Sequence, residues 1–149
     1  MVDVSTQVDI ARPRADVAAY ASDPDNATTW YVKIRSVGWK TPKPLQIGSK
    51  LAFVAQFLGR TLEYTYEVKE MVAGERFVMA TAQGPFPMET TYTWEDTPSG
   101  GTRMTLRNRG EPAGFSKLVA PVMATAMQRA NTKDLQQLKR ILEAGDGGS

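Results

Sequence analysis

Residues 61–69 read TLEYTYEVK, a run in which every second side chain is apolar or aromatic. Leu62, Tyr64, Tyr66 and Val68 alternate with threonine, glutamate and lysine. Successive side chains of an extended chain lie on opposite faces of a sheet. The run therefore predicts a β-strand with one buried and one solvated face.

The segments on both sides of this run have the same character. Residues 2–10 alternate apolar and polar side chains, and further strands are predicted at 31–39, 50–58, 61–71, 76–83, 88–95 and 103–109. Short turns rich in glycine and proline separate the later strands, which indicates an antiparallel meander. A sheet with one apolar face needs another element to cover that face.

The C-terminal part of the chain predicts this cover. Its apolar residues follow helical spacing: Val119, Met123, Met127, Ala130, Leu138 and Ile141. Residues 121–143 would form a rod of roughly 35 Å. Pro121 either begins this helix or kinks it, and Gly145 is a natural end. We expect one domain at residues 1–144 and a flexible tail at 145–149.

Two short helices are predicted between the first and second strands. Pro13 can open the first helix at residue 13. Asp23 can cap a second helix that begins at Pro24 and ends near residue 29. The predicted class is therefore α+β, with about seven antiparallel strands curved around one long helix.

Composition excludes several classes of function. The 149 residues contain no cysteine and no histidine, which rules out thiolate or histidine metal sites and Ser-His-Asp catalysis. The net charge of +2 is small, and the basic residues are scattered, so nucleic acid is not an expected partner. No signal peptide, membrane span or cofactor-binding motif is visible, which favours a cytoplasmic protein without a cofactor.

The order of elements resembles the helix-grip fold of the START/Bet v 1-like (SRPBCC) superfamily, and more narrowly its polyketide cyclase/dehydrase-like branch. The resemblance spans residues 2–143. It rests on short segments in a fixed order: Ile10-Ala11-Arg12-Pro13, Ser22-Asp23-Pro24, Trp30, Gly48, Gly84-Pro85-Phe86, Gly100-Gly101-Thr102 and the DLQQLK run at 134–139. It implies a pocket for a hydrophobic small molecule between the sheet and the long helix. The pocket arginine of aromatic cyclases would correspond here to Glu70, so this chain departs from the cyclase pattern.

Aromatic and sulfur-containing side chains are the candidate walls of this pocket. Tyr66 is a candidate catalytic acid. The candidate ligand-binding residues are Trp30, Phe53, Tyr64, Met79, Tyr92, Trp94, Met123 and Met127. A phenol can hydrogen-bond a ligand carbonyl, and thioethers adapt to irregular ligands. Each of these residue types also fills ordinary cores, and Trp30 could simply anchor the second short helix.

Two polar residues on the apolar stripe of the long helix are candidates for chemistry. At 100° per residue, Asn131 and Asp134 lie about 40° and 20° from Met127, on either side of it. Buried polar groups need partners. Asn131 could therefore hydrogen-bond a ligand, and Asp134 could act as a base if burial raises its pKa. The alternatives are that Asp134 pairs with an arginine of the short helices, or that the helix is rotated and both residues reach the rim of the pocket.

These observations predict a monomer or homodimer that binds a hydrophobic or aromatic small molecule. If the protein is an enzyme, a cofactor-free cyclisation or dehydration is expected. The alternatives are a non-enzymatic carrier or sensor of a lipid or hydrophobic metabolite, and a co-chaperone-like interaction module.

Overall fold

In the computed structural model, which describes residues 2–57, 59–83, 87–110 and 120–146, seven antiparallel strands form one sheet. Their order across the sheet is β1-β7-β6-β5-β4-β3-β2. The strands are β1 (Val2–Ile10), β2 (Ile34–Trp39), β3 (Lys50–Phe57), β4 (Arg60–Val72), β5 (Arg76–Gln83), β6 (Met88–Asp96) and β7 (Thr102–Gly110). The predicted meander is confirmed, and β1 closes it by pairing with β7.

The alternation of side chains places one face of the sheet against the rest of the molecule. On the inward face Phe53 pairs with Tyr64 across β3 and β4, and Thr90 pairs with Asn108 across β6 and β7. On the other face, Arg103 of β7 donates to the Asp9 carboxylate of β1 at 2.9 Å. The sheet thus has the predicted buried and solvated faces.

Glu70 does not continue the inward face of β4, contrary to the simple alternation. The register against β5 shifts between Val68 and Glu70 because β4 carries one extra residue at that point. Such a bulge reverses which face the following side chains occupy. Val68 is fully buried, whereas Glu70 is exposed and accepts a 2.9 Å hydrogen bond from Arg76 Nε. The position expected for a cyclase arginine therefore faces solvent.

The short helices follow β1 as predicted. They comprise α1 (Arg14–Ser22), a 3₁₀ turn (Pro24–Asn26) and α2 (Ala27–Trp30). The Asp23 side chain accepts from the Asp25 amide at 3.0 Å, which confirms its capping role. Strand β2 begins at Ile34 rather than at residue 31. Residues 31–33 instead form a short connection after α2. Side-chain and backbone groups of this connection hydrogen-bond to residues far away in the sequence.

The long helix, α3 (Ala120–Asp146), crosses the inward face of the sheet. Pro121 lies in its first turn, where a missing backbone donor is tolerated. The helix runs one residue past Gly145, while residues 147–149 of the predicted tail and residues 84–86 lie outside the described part of the chain. Near its end, Arg12 Nη1 donates to the Leu142 carbonyl at 2.9 Å. This contact ties the helix to the end of β1.

The buried apolar side chains form two clusters along α3. The larger cluster surrounds Trp30 and includes Leu135 and Leu138, and the smaller one joins Val2 and Val4 to Met123 and Met127. Asn131 lies on the same helix face, between Met127 and Leu135, and is buried. The helix face is therefore polar where it passes from one cluster to the other. No helix among the described residues is long and apolar enough to cross a membrane.

Candidate functional site

A cavity lies between the inward sheet face and α3. The space open to the centre of a water-sized sphere measures about 130 Å³, and about 820 Å³ when all space between atoms is counted out to the solvent at its mouth. Its wall comprises Tyr31, Lys33, Ile34, Phe53, Ala55, Gln56, Tyr64, Tyr66, Met79, Met88, Thr90, Tyr92, Asn108, Met127, Ala130, Asn131 and Asp134. Most of this surface is aromatic or aliphatic, as in sites for small molecules.

Two tyrosines connect the segment after α2 to the sheet. The hydroxyl of Tyr31 hydrogen-bonds that of Tyr92, on β6. The Trp30 ring packs against Tyr31 with ring centroids 4.0 Å apart. Burial raises the pKa of both phenols above the usual value. Both hydroxyls therefore keep their protons at neutral pH and serve as hydrogen-bonding groups rather than as bases.

A chain of three polar groups lies on the sheet wall. Thr90 Oγ1 lies 2.6 Å from Asn108 Oδ1 and 3.3 Å from the hydroxyl of Tyr66. An amide oxygen can only accept, so the single proton of Thr90 goes to Asn108 at the shorter contact, and the longer contact, at which Thr90 faces the Tyr66 hydroxyl as a donor, competes for the same proton. Burial raises the pKa of Tyr66. Tyr66 is thus held in its neutral form at the cavity wall.

Asp134 is a carboxyl group in an almost fully buried position, with only 3% of its surface exposed. Its Oδ1 accepts from the Val32 amide at 2.8 Å. Burial raises the pKa of Asp134 to about 7, although the Val32 amide and the nearby Lys33 act in the opposite direction. The carboxyl group is therefore held by a backbone amide, and not by an arginine of the short helices as one alternative expected.

Asn131 lies one turn before Asp134 on the same wall and is 4% exposed. Its Nδ2 is buried and has no hydrogen-bond partner among the described residues. A buried donor left unpaired costs on the order of 1–3 kcal/mol. This amide is consequently the cavity group with the strongest need for an acceptor.

The structure brings most of the predicted site residues to this cavity. Those on its wall are Phe53, Tyr64, Tyr66, Met79, Tyr92, Met127, Asn131 and Asp134. Three predicted ligand-binding residues lie elsewhere. Trp30 is fully buried in the larger cluster, Trp94 faces a groove beside α1, and Met123 belongs to the smaller cluster.

Several wall residues were not among the predicted site residues. Thr90 and Asn108 are at inward-facing positions of β6 and β7, which the alternation of side chains in the sequence indicates. Their contact with each other depends on the register of the two strands. Lys33 lies in a segment that the sequence assigned to a strand and that instead precedes β2. Ala130 contributes little side chain, so its spacing alone could not show that it borders a cavity.

The wall chemistry suits an organic ligand. Among the described residues, no group of three histidine, cysteine, aspartate or glutamate side chains could hold a metal ion. Of the residues around the cavity, Asp134 and Lys33 are the charged ones. The site can thus surround an apolar molecule, donate hydrogen bonds to it, and offer one carboxyl group that titrates near neutral pH.

Solved structures with the same fold include several bacterial proteins. A protein from Thermus thermophilus superposes with a TM-score of 0.81 at 21% identity, covering 95% of this chain and 98% of its own. The Zhui aromatase/cyclase from Streptomyces sp. R1128 gives 0.80 at 14% identity, covering 96% and 94%. A START superfamily protein from Mycobacterium smegmatis gives 0.79 at 14% identity, covering 95% and 97%.

No curated protein sequence is similar enough to match this chain. A family model described as polyketide cyclase/dehydrase and lipid transport matches residues 1–143. This match covers every strand and nearly all of α3, and the structural neighbours share the START-like helix-grip architecture. The chain therefore belongs to the polyketide cyclase/dehydrase and lipid transport family.

Proposed function

We propose that this protein binds a hydrophobic or aromatic small molecule in the cavity between the sheet and α3, without a cofactor. The observation that most directly supports this proposal is a mainly apolar cavity, whose wall includes a buried Asn131 amide with no hydrogen-bond partner among the described residues. Apolar walls favour an apolar ligand body, and a few polar groups set its orientation. Family membership supports the same proposal.

Filling the cavity from the helix side tests this proposal. Ala130→Leu adds side-chain volume at the cavity wall, whereas Ala144→Leu adds the same volume at an exposed position of the same helix. We would titrate a mixed set of apolar ketones, hydrocarbons and fatty acids and detect binding by ligand-observed NMR. At least one compound should bind the unmodified protein and the Ala144 variant but not the Ala130 variant. Failure of Ala130→Leu to block any binding would contradict the proposal.

A second candidate function, acid–base catalysis at this site, is favoured by Asp134. A general base works best when its pKa lies near the working pH, and the pKa of Asp134 is about 7. In the proposed step, Asp134 takes a proton from the carbon beside a ligand carbonyl. The C–H electron pair forms an enolate, and Asn131 Nδ2 donates to its oxygen. Such an enolate can attack a second carbonyl carbon of the ligand, whose oxygen then takes the proton from Asp134, or it can expel a β-hydroxyl group, which leaves as water with that proton.

Exchange of carbon-bound protons separates an enzyme from a carrier. The α-protons of a bound ketone such as acetophenone should exchange for deuterium faster in the presence of the protein than in buffer. The rate should rise with pH through about 7 and then level, because the ionised form of Asp134 is the base. Asp134→Asn should abolish the acceleration and retain binding, and Tyr66→Phe should slow exchange more than it weakens binding. A carrier would bind the ketone without accelerating exchange, and an interaction module would bind none of the compounds.

A further inference from the structure

The cavity between the sheet and α3 is small. Its open space of about 130 Å³ is close to the ~150 Å³ of an engineered protein cavity that binds benzene. Bulky side chains set this limit from both walls. Tyr64, Tyr66 and Met79 project from the sheet, and Met127 faces them from α3. One ring with a short substituent fills such a space, whereas fused rings or a long acyl chain would have to extend through the mouth into solvent.

The polar groups of the cavity are rich in donors. Asn131 Nδ2 has no partner among the described residues. The hydroxyls of Tyr31 and Tyr92 share one hydrogen bond, which uses one of their two protons and leaves the other for a third oxygen. A ligand that completes these bonds must bring an acceptor, and a carbonyl oxygen, with two lone pairs, can accept from more than one of these donors.

We infer that the site takes a neutral compound of about one ring that carries a carbonyl oxygen, rather than a multi-ring polyketide or a lipid chain. This inference rests on the proposed function, because it names the ligand class of the same cavity. A neutral carbonyl suits the wall better than a carboxylate, since the buried Asp134 would repel a second negative charge when ionised, whereas Lys33, the other charged wall residue, is exposed to solvent, which weakens its attraction.

Three ligand comparisons on the unmodified protein test the inference. Acetophenone has one ring and a carbonyl, ethylbenzene has nearly the same shape without the oxygen, and 2-acetylnaphthalene adds a second ring. Dodecanoic acid represents an acyl chain. Acetophenone should bind about tenfold more tightly than ethylbenzene, because the carbonyl pairs a buried donor. The naphthyl ketone and the acid should bind at least tenfold more weakly than acetophenone, although both are more hydrophobic.

Two variants and a control test which wall residues set the preference for a carbonyl and the limit on ligand size. Asn131→Leu removes the unpaired donor and should bring acetophenone and ethylbenzene to equal affinity. Met127→Ala shortens a wall residue and should admit 2-acetylnaphthalene. Met123→Ala is the matched control, because it makes the same deletion one turn away, in the smaller cluster and off the cavity wall. It should leave the order of affinities unchanged.

The outcomes separate this inference from the proposed function. Tighter binding of the naphthyl ketone or dodecanoic acid than of acetophenone, still blocked by Ala130→Leu, would overturn the ligand class and leave the function standing. Equal binding of acetophenone and ethylbenzene by the unmodified protein would overturn the role of the donors, even if Asn131→Leu fails to fold. Absence of binding by every compound would overturn both.

Discussion

Asp134 couples the stability of the fold to pH. Burial at the cavity wall raises the pKa of this carboxyl group from its ordinary value of 3.8 to about 7. The native state therefore holds a proton that the unfolded chain has released at intermediate pH. By linkage, stability is greatest below the unfolded pKa, falls as pH rises between about 4 and 7, and is level above that range.

The variant Asp134→Asn tests the direction in which stability changes with pH. The change keeps the side-chain shape and an oxygen for the Val32 amide, but it removes ionisation. Relative to the variant, the unmodified protein should lose about 1.4 kcal/mol of unfolding free energy per pH unit inside the window. Between pH 5 and pH 8 we expect a relative loss of about 2–3 kcal/mol, measured by urea unfolding.

Asp9→Asn is the control for this measurement. Asp9 is exposed, and its hydrogen bond from Arg103 lowers its pKa. Its contribution is present above the unfolded pKa and is lost only as pH falls through the still lower native pKa. The control should therefore show no difference in pH dependence between pH 5 and pH 8. If the unmodified protein and Asp134→Asn also showed the same pH dependence of unfolding free energy, the result would contradict a buried carboxyl group that titrates in this range.

At the scale of elements, the junction of β1 and β7 depends on a close backbone approach. The two strands pair along their whole length and end together at Ile10 and Thr102. Gly101 precedes this last pair, and a Cβ there would lie 2.5 Å from the Ile10 carbonyl oxygen. Only a residue without a Cβ fits, because the neighbouring atom is backbone and not the end of a flexible side chain.

Gly101→Ala should accordingly destabilise the protein by about 1–3 kcal/mol, the range for an added group in a packed position. Gly38→Ala is the matched control within β2, where a Cβ would meet nothing within 4 Å. It should leave stability unchanged or raise it slightly through the unfolded state. Chemical denaturation of both variants checks the difference, and equal stabilities would contradict the proposed clash.

At the scale of the whole molecule, α3 joins two clusters that would otherwise be separate. Leu138 is fully buried in the larger cluster, and Met123 and Met127 belong to the smaller one. Because the sheet cannot bury its inward face alone, helix and sheet should unfold together. This supports the proposal that residues 1–144 form a single domain.

Leu138→Ala tests this coupling. It should cost about 2–5 kcal/mol, as for other buried leucines, while unfolding curves from far-UV circular dichroism and tryptophan fluorescence remain coincident. Val122→Ala, at a position 59% exposed on the same helix, should change stability by less than about 0.5 kcal/mol. Separate transitions for helix and sheet signals would show that the two parts unfold independently.

The sequence by itself determined the strands, the covering helix and the inward place of Asn131 and Asp134 on that helix. These features follow from local periodicity, since spacing along a strand or helix decides which side chains share a face. Periodicity did not show how far along the sheet each inward side chain lies, and therefore did not show whether it borders the cavity. Trp94 has the predicted face but lies beyond the cavity, beside α1, and Glu70 left its face because of one extra residue in β4.

Only the tertiary structure decided what each buried group meets. The Val32 amide that holds Asp134 is 102 positions away in sequence, and the hydroxyl that bonds Tyr31 is 61 positions away. The size of the cavity and the missing partner of the Asn131 amide among the described residues likewise depend on strand register and on how α3 sits across the sheet. Contacts between distant segments have no period, so no local pattern could record them.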